Sequence, residues 1–303
     1  MPNSIKYASM LTTELDKMFV QSAVTGFMTD NAMRAKFVGA HTVLIPEMDL
    51  DGLGDYDRQT GYPDGAINVS HNSYTLSQDR GRSFLLDAQD EDESGVANLA
   101  GQVLGEFVRT KVVPEVDAYV MNKLFHLAMD NVNAVYLPEG KTIANGAYAL
   151  VNNLISKVRS VVGYDEKLVA LLDDKVYAAL MATPEITRMI RTDDFKKGEI
   201  TTKVKVIDDV AIIPVPSSRM MQQIEITDNG YTVAEGNEAH HIGAIVMPKK
   251  AASLIRKTEK IRTFTPEQNQ SADAYKFDYR LYYDLLVKNS QKGSIYTYMY
   301  TEE

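Results

Sequence analysis

The chain has 303 residues, 45% hydrophobic and 24% charged, enough apolar material for a sizeable core and a length that allows one large or two ordinary domains. It contains no cysteine, which excludes a disulfide framework, a thiolate zinc site and a cysteine nucleophile and suits folding in a reducing cytoplasm. A net charge of -9 argues against binding nucleic acid by neutralising phosphates, and no signal peptide or run of eighteen apolar residues is present.

In chain order, Leu11, Leu15, Met18 and Phe19 recur at helical spacing behind Thr12 and Thr13, predicting one short amphipathic helix that ends near Gly26. HTVLIPEM reads as a strand. The next stretch, DLDGLGDYDRQTGYPDG, Asp49 to Gly65, interleaves five aspartates with glycines as a calcium loop would. A count from Asp49 puts Gly54 on the sixth place, but Leu53 where a ligand belongs and Thr60 where the bidentate Glu should close the site. An exposed polar turn is the better reading. AINVSHNSYTLSQDRGRSFLL then alternates loosely as strand, so the segment forms a long two-stranded excursion, which is marginal in water unless a neighbouring surface receives it.

From DEDESGVANLAGQVLGEFVRTKVV the period changes. Val96, Leu99, Ala100, Val103, Leu104, Phe107 and Val108 share a helical stripe, which resumes at Val116, Tyr119, Val120, Leu124, Leu127 and Ala128. Pro114 removes a backbone donor between the two halves and predicts a kink or interruption. Such a helix, at 1.5 Å per residue, spans roughly 50 Å and suggests an extended molecule.

Beyond it, Ala147 to Val162 reads as helix, LVALL as a buried strand, and DKVYAALMATPEITRMI as two helices broken at Pro184. KVKVIDDVAIIPVP reads as a hairpin turning at Asp208 and Asp209, IEITDNGYTV as one turning at Asn229 and Gly230, and IGAIVMP as a buried strand. YKFDYRLYY puts Tyr275, Phe277, Tyr279, Leu281 and Tyr283 on one face of a strand and Lys276, Asp278, Arg280 and Asp284 on the other. Helices and strands mixed in this way predict an α+β fold.

No catalytic constellation emerges. His41, His71, His126, His240 and His241 fall in no ligand spacing, with the last pair in a polar stretch before a strand. Gly52 and Gly54 begin a GxG, but Asp57 replaces the third glycine of a dinucleotide loop. Ser217 and Ser218 have no base nearby in sequence. The chain reads as a non-enzyme without a cofactor or metal. Its charge is uneven: Asp87 to Glu93 holds five acids, and PKKAASLIRKTEKIR, Pro248 to Arg262, holds six bases against Glu259.

The stretches GLGDYDRQTGY, YTLSQDRGRSFLLDAQDEDES, VVPEVDAYVMNKL, IIPVPSSRM and SADAYKFDYRLYYDLLVKN, in this order across nearly the whole chain, resemble the major capsid proteins of tailed bacteriophages. The resemblance implies the Hong Kong 97 fold: an N-terminal arm at 1–38, a peripheral strand and extended loop at 39–93, a spine helix at 94–131, an axial domain at 138–247 and a return to the peripheral domain at 248–303. It implies a homo-oligomer of pentamers and hexamers closing an icosahedral shell around double-stranded DNA. A portal is implied as well and, since no long charged helical extension precedes the arm, either a separate scaffolding protein or an already processed chain, of which Met1 favours the former. The extended loop would lie on the adjacent subunit, with Asp55, Asp57 and Arg58 as contacts. Arg80 and Arg82, with the acids at Asp87 and Asp90 and the bases Lys249, Lys250 and Arg256, would pair between neighbours. No lysine occurs between Lys36 and Lys111, so the isopeptide cross-link that some relatives make from that loop is not expected. A compartment shell of the encapsulin type and a metal-dependent hydrolase using the Asp49–Asp57 cluster are the alternatives.

Overall fold

The computed structural model describes residues 2–29, 36–38, 42–59, 61–87, 101–137, 142–184, 190–197, 200–236, 240–258, 261–269 and 272–301. Two sheets flank one long helix, and a ribbon projects from one of them. The α+β expectation holds, in an arrangement where almost every apolar periodicity finds a different neighbour.

The long helix is described from residue 101. It winds regularly over 101–107, widens over Val108–Val112 and continues as Val113–Asp130. In the wide turn the Val113 N–H reaches back to Val108 O, five residues away. Pro114, with no N–H to offer, follows at the start of the second piece. The expected break is thus a single overwide turn rather than an interruption. Leu104, Val108, Val112, Val116, Val120 and Leu124 are buried along it, whereas Val103 faces solvent, contrary to the predicted stripe. Val96, Leu99, Ala100 and the side chain of Leu11 lie outside the described residues.

The N-terminal helix runs over Pro2–Ser22, about ten residues earlier than its apolar pattern announces, and a tight 3-10 turn follows at Val24–Thr29. Leu15 and Phe19 carry it onto the core beside the long helix.

A seven-stranded sheet forms the larger body. Its order is Ala134–Val135, Tyr296–Thr301, His240–Pro248, Leu168–Asp173, Val210–Val215, Ile200–Ile207 and Arg191–Lys197. The central strand LVALL is buried throughout because it serves two cores. Val169 and Leu171 meet the cluster around the long helix, while Leu168, Ala170 and Leu172 meet helices Ile143–Val162 and Asp174–Ala182. The predicted second helix after Pro184 falls at 185–189, outside the described residues. The Asp208-Asp209 turn is as read, with both residues at positive φ (48° and 61°), as a two-residue hairpin loop requires. In the next hairpin the two loop residues are Asp228 and Asn229, and Gly230 already pairs with Thr227.

His240 and His241 belong to a strand rather than to the polar stretch before one, and His241 is buried against Tyr300. One irregularity in this strand is structural. The register shifts between Ile242 and Ala244, so Ile242 enters the core with Ile245 and Met247 while Ala244 and Val246 enter the other. Gly243 is the extra residue, and a Cβ there would meet the Tyr298 ring at 2.3 Å. Gly243→Ala should therefore cost on the order of 1–3 kcal/mol in urea unfolding, because both cores flank the clash and the ring has no room to retreat.

The second sheet is built on the 14-residue strand Ala274–Val287, paired along one edge with Gln78–Asp87 and along the other with Ala252–Thr258 and Arg262–Phe264. Phe277, Tyr279, Leu281 and Tyr283 face the long helix, as the alternation predicts. The opposite face is polar at Lys276, Asp278 and Arg280, as predicted, but turns into an interior further along the strand. Tyr282 and Leu286 are buried on it because the root of the ribbon covers them, and Asp284 is buried against Ser77 and the long-helix side chains Tyr119 and Lys123.

That ribbon is Thr42–Leu50 paired antiparallel with Ile67–Thr75 along its whole length, with Lys36–Val38 added at the base. Gln78–Asp87, read as part of the same excursion, belongs to the body instead. The excursion therefore ends at Thr75, where the chain turns through Leu76 and Ser77 into the sheet.

Candidate functional site

The ribbon has a rooted end and a bare end. At the root, Val43, Ile45, Leu76 and Tyr74 pack over Ile255, Tyr282 and Leu286. A polar network pins the same corner: the Ser77 N–H donates to Asp284 Oδ2 at 3.2 Å, the Tyr119 hydroxyl donates to Asp284 Oδ1 at 2.8 Å, and Lys123 pairs with the same carboxylate. Asp284 is buried, and its charge is tolerated because these three donors and the Leu285 N–H, 2.7 Å from Oδ1, surround it.

Past the root the residues change sides. The face that carries Val43 and Ile45 inward is opposite the one that carries Leu50, Ile67 and Val69, since Leu50 pairs with Ile67 and the side chains alternate along each strand. These three apolar side chains are 58%, 70% and 55% exposed. At the tip Leu53 is fully exposed, and the rings of Tyr56 and Tyr62 lean on each other at 4.9 Å with most of their surface in solvent. These side chains therefore form one apolar face on the projecting ribbon rather than a scatter of single residues.

The aspartates of the tip are turn-builders. Asp51 Oδ2 accepts the Ala66 N–H at 2.8 Å, and Asp57 Oδ1 accepts the Gln59 N–H at 2.7 Å while the Asp57 and Gly61 backbones exchange hydrogen bonds. Gly61 sits at φ 86°, where a side chain would be strained. Asp55, Asp57 and Arg58 are exposed. Among the described residues no three His, Asp or Glu side chains gather as a metal site.

The other residues singled out from sequence behave differently. Arg80 reaches inward: Nε and Nη2 grip Glu115 at 2.9 and 3.2 Å, and Nη2 also donates to Thr227 O. Glu115 in turn accepts the Tyr283 hydroxyl at 3.0 Å. Burial works against the charge on Arg80, but the hydrogen bond and charge of Glu115 outweigh it and hold the guanidinium above the usual arginine range. Burial, then the neighbouring Glu115, push the Tyr283 phenol far up. Arg82 donates to Asp228 O and Asn229 Oδ1, so the two arginines clasp the hairpin Ile224–Val233. Arg256 lies buried with its guanidinium 3.9 Å over the Phe19 ring and 3.4 Å from Asp16, and Lys249 lies over Phe195. These four basic side chains are thus engaged within their own chain: Arg80 and Arg82 meet at one hairpin, while Lys249 and Arg256 pack elsewhere, on Phe195 and Phe19. Lys250 is exposed. Asp87 closes the strand opposite Ala274, and Asp90 lies outside the described residues.

Sequence reading missed an acid on which four donors converge. Asp117 is wholly buried and accepts the N–H groups of Val24 and Thr25, the Thr25 hydroxyl and Arg219 Nη1, at 2.6 to 3.1 Å. It ties the N-terminal segment to the long helix and to the turn at Ser217–Arg219. One signal was available: Asp117 lies four residues after Val113, on the stripe that Val116 and Val120 bury.

No family model and no curated protein sequence matches the chain. Solved structures do. A chain from the asymmetric unit of the bacteriophage PhiM1 mature capsid superposes with a TM-score of 0.53 at 11% identity, covering 86% of this chain and 82% of that one. A chain from the capsid of the cyanophage P-SCSP1u gives 0.53 at 11% identity, covering 87% and 84%. Among the described residues no helix is long and apolar enough to cross a membrane. The likeness at this identity speaks for the fold, and the fold of this chain is that of a phage capsid protein.

Proposed function

We propose that the chain is a major capsid protein of the Hong Kong 97 type, assembling from pentamers and hexamers into the icosahedral head shell that encloses phage double-stranded DNA. The observation that carries this reading is the ribbon. Its strands of nine residues extend it by about 30 Å, its root is fixed, and the Leu50, Ile67 and Val69 side chains of its outer face stand exposed. A surface of that kind is stable in water only when another molecule covers it, and in a one-protein shell that molecule is a second copy.

In this reading 39–93 supplies the extended loop, 94–131 the spine, 138–247 the axial domain and 248–303 the return to the peripheral domain, with 1–38 as the arm. Asp55, Asp57, Arg58 and Lys250, exposed here, are contacts available to neighbours, while Arg80, Arg82, Lys249 and Arg256 shape the subunit that neighbours meet. Non-covalent interfaces of about 1,600 Å² repeated around each subunit would hold the shell, since the extended loop contains no lysine for a cross-link. The net charge of -9 favours a wall that does not retain packaged DNA. Assembly in the host cytoplasm, with a separate scaffolding protein and a portal, completes the proposal.

Electron microscopy of the protein expressed alone tests it. Closed shells, tubes or rings are the expected result, and a monomer that persists at high protein concentration and across ionic strengths would refute the reading.

A further inference from the structure

On the far side of the second sheet from the ribbon lies a cleft. It opens between the strand Gln78–Asp87, the long helix and the hairpin Ile224–Val233, with a volume of about 190 Å³. Its floor is aromatic: Phe84 meets Phe107 edge-on at 4.9 Å, and Phe107 meets Tyr279 at 5.7 Å. Glu115, deeper in, is already neutralised by Arg80. Arg82 and Lys111 stand at the mouth with one acid, Asp228, all three exposed, which leaves the edge basic on balance. The cleft is therefore an apolar, ring-lined recess with a cationic edge.

The ribbon tip has the complementary character. Tyr56 and Tyr62 form a preformed aromatic pair, and Asp55, Asp57 and Asp64 surround them against one cation, Arg58. Aromatic anchors entering pockets, with opposite charges at the rim, are the usual composition of an energetic centre in an interface. The turn closed by Asp57 and Gly61 presents the rings already ordered, which lowers the entropy lost on docking.

We infer that the Tyr56–Tyr62 tip of one chain seats in the Phe84–Phe107–Tyr279 cleft of another, with Asp55 and Asp57 facing Arg82 and Lys111. This rests on the capsid reading and names the receiving site within it. The contact is between chains for a geometric reason. The ribbon root packs on the Tyr282 and Leu286 face of the long strand, whereas Tyr279, Leu281 and Tyr283 line the cleft on the other face. The sheet stands between a tip and its own cleft. Tip into cleft is also a head-to-tail contact between two different patches, the kind that closes copies into rings.

The absence of cysteine makes the test clean. Tyr62→Cys with Lys111→Cys, assembled and then mildly oxidised, should give a ladder of disulfide-linked dimers, trimers and higher multimers on a non-reducing gel, and neither single variant should climb beyond a dimer. Particles that form without the ladder overturn the inference and leave the capsid reading standing. A chain that stays monomeric overturns both. Charge reversal supplies a second arm: Lys111→Glu should slow assembly, followed by light scattering, about tenfold, and adding Asp55→Lys, which leaves the Asp57 turn intact, should restore it. A variant that merely misfolds would not be rescued by a change at the distant tip, so failure of rescue in particles that do form counts against the contact.

Discussion

Asp117→Ala is expected to lower the unfolding free energy by about 3–5 kcal/mol, the largest loss for any single side chain described above, because it removes one partner of a buried charged network and strands the rest. Four donors converge on this carboxylate from two parts of the chain, residues 24–25 and Arg219, and Arg219 would keep its charge without the acid that now faces it. Lys197 feels the loss as well. Burial already lowers the pKa of its ammonium group, the charge of Asp117 is what opposes that, and its Nζ donates to Ala23 O next to the same turn. Urea denaturation would give the magnitude. Limited proteolysis would give the location: cleavage within Val24–Thr29 should accelerate before the body of the protein becomes sensitive, since Asp117 fastens that turn. Asp117→Asn keeps an acceptor for Thr25 but not the charge facing Arg219, and should fall between the wild type and alanine. Equal resistance of all three proteins would show that the N-terminal segment is held by Leu15 and Phe19 alone.

Shortening the ribbon should have the opposite profile, with little effect on stability and a complete effect on assembly. Residues 52–65 can be replaced by Asn-Gly, because the Asp51 N–H already donates to Ala66 O at 3.3 Å and a two-residue turn can close that pair. The deleted residues include Leu53, Tyr56 and Tyr62, which are exposed and bury little within the chain. Unfolding by urea should therefore change by less than about 1 kcal/mol, as surface changes away from packed features usually do. Closed particles, counted by electron microscopy or sedimentation, should disappear. Normal shells from the shortened chain would mean that the tip is dispensable and that the reading of the ribbon as the main intersubunit device is wrong.

These two outcomes separate what was legible in the residues from what was not. The ribbon was legible as an excursion because strand alternation on both sides of a turn-rich acidic stretch has no other economical explanation. Its far boundary was not, since Gln78–Asp87 alternates as the true ribbon strands do, and only its pairing with Ala274–Val287 assigns it to the body. The long helix was legible from its 3.6-residue stripe, and so was a disturbance at Pro114. That the disturbance is one wide turn depended on whether neighbouring packing could hold the two halves in line. The burial of Asp284 was hidden for a related reason: alternation says which residues share a face, and only Ser77 with Tyr119 and Lys123 of the long helix makes that position an interior.

The charged residues show the limit most plainly. Clusters of arginine and lysine read equally well as contacts with a neighbour or as internal clasps, because charge along the chain carries no information about what lies opposite. Arg80 and Arg256 find Glu115 and Asp16 at separations of 35 and 240 residues. By itself the sequence determined the element types, the acidic balance and an exposed polar tip, all of which follow from local period and composition. Only the tertiary structure decided which face of the ribbon is bare, which acid fastens the N-terminal segment and where an aromatic cleft opens, because each is a property of surfaces brought together from distant parts of the chain.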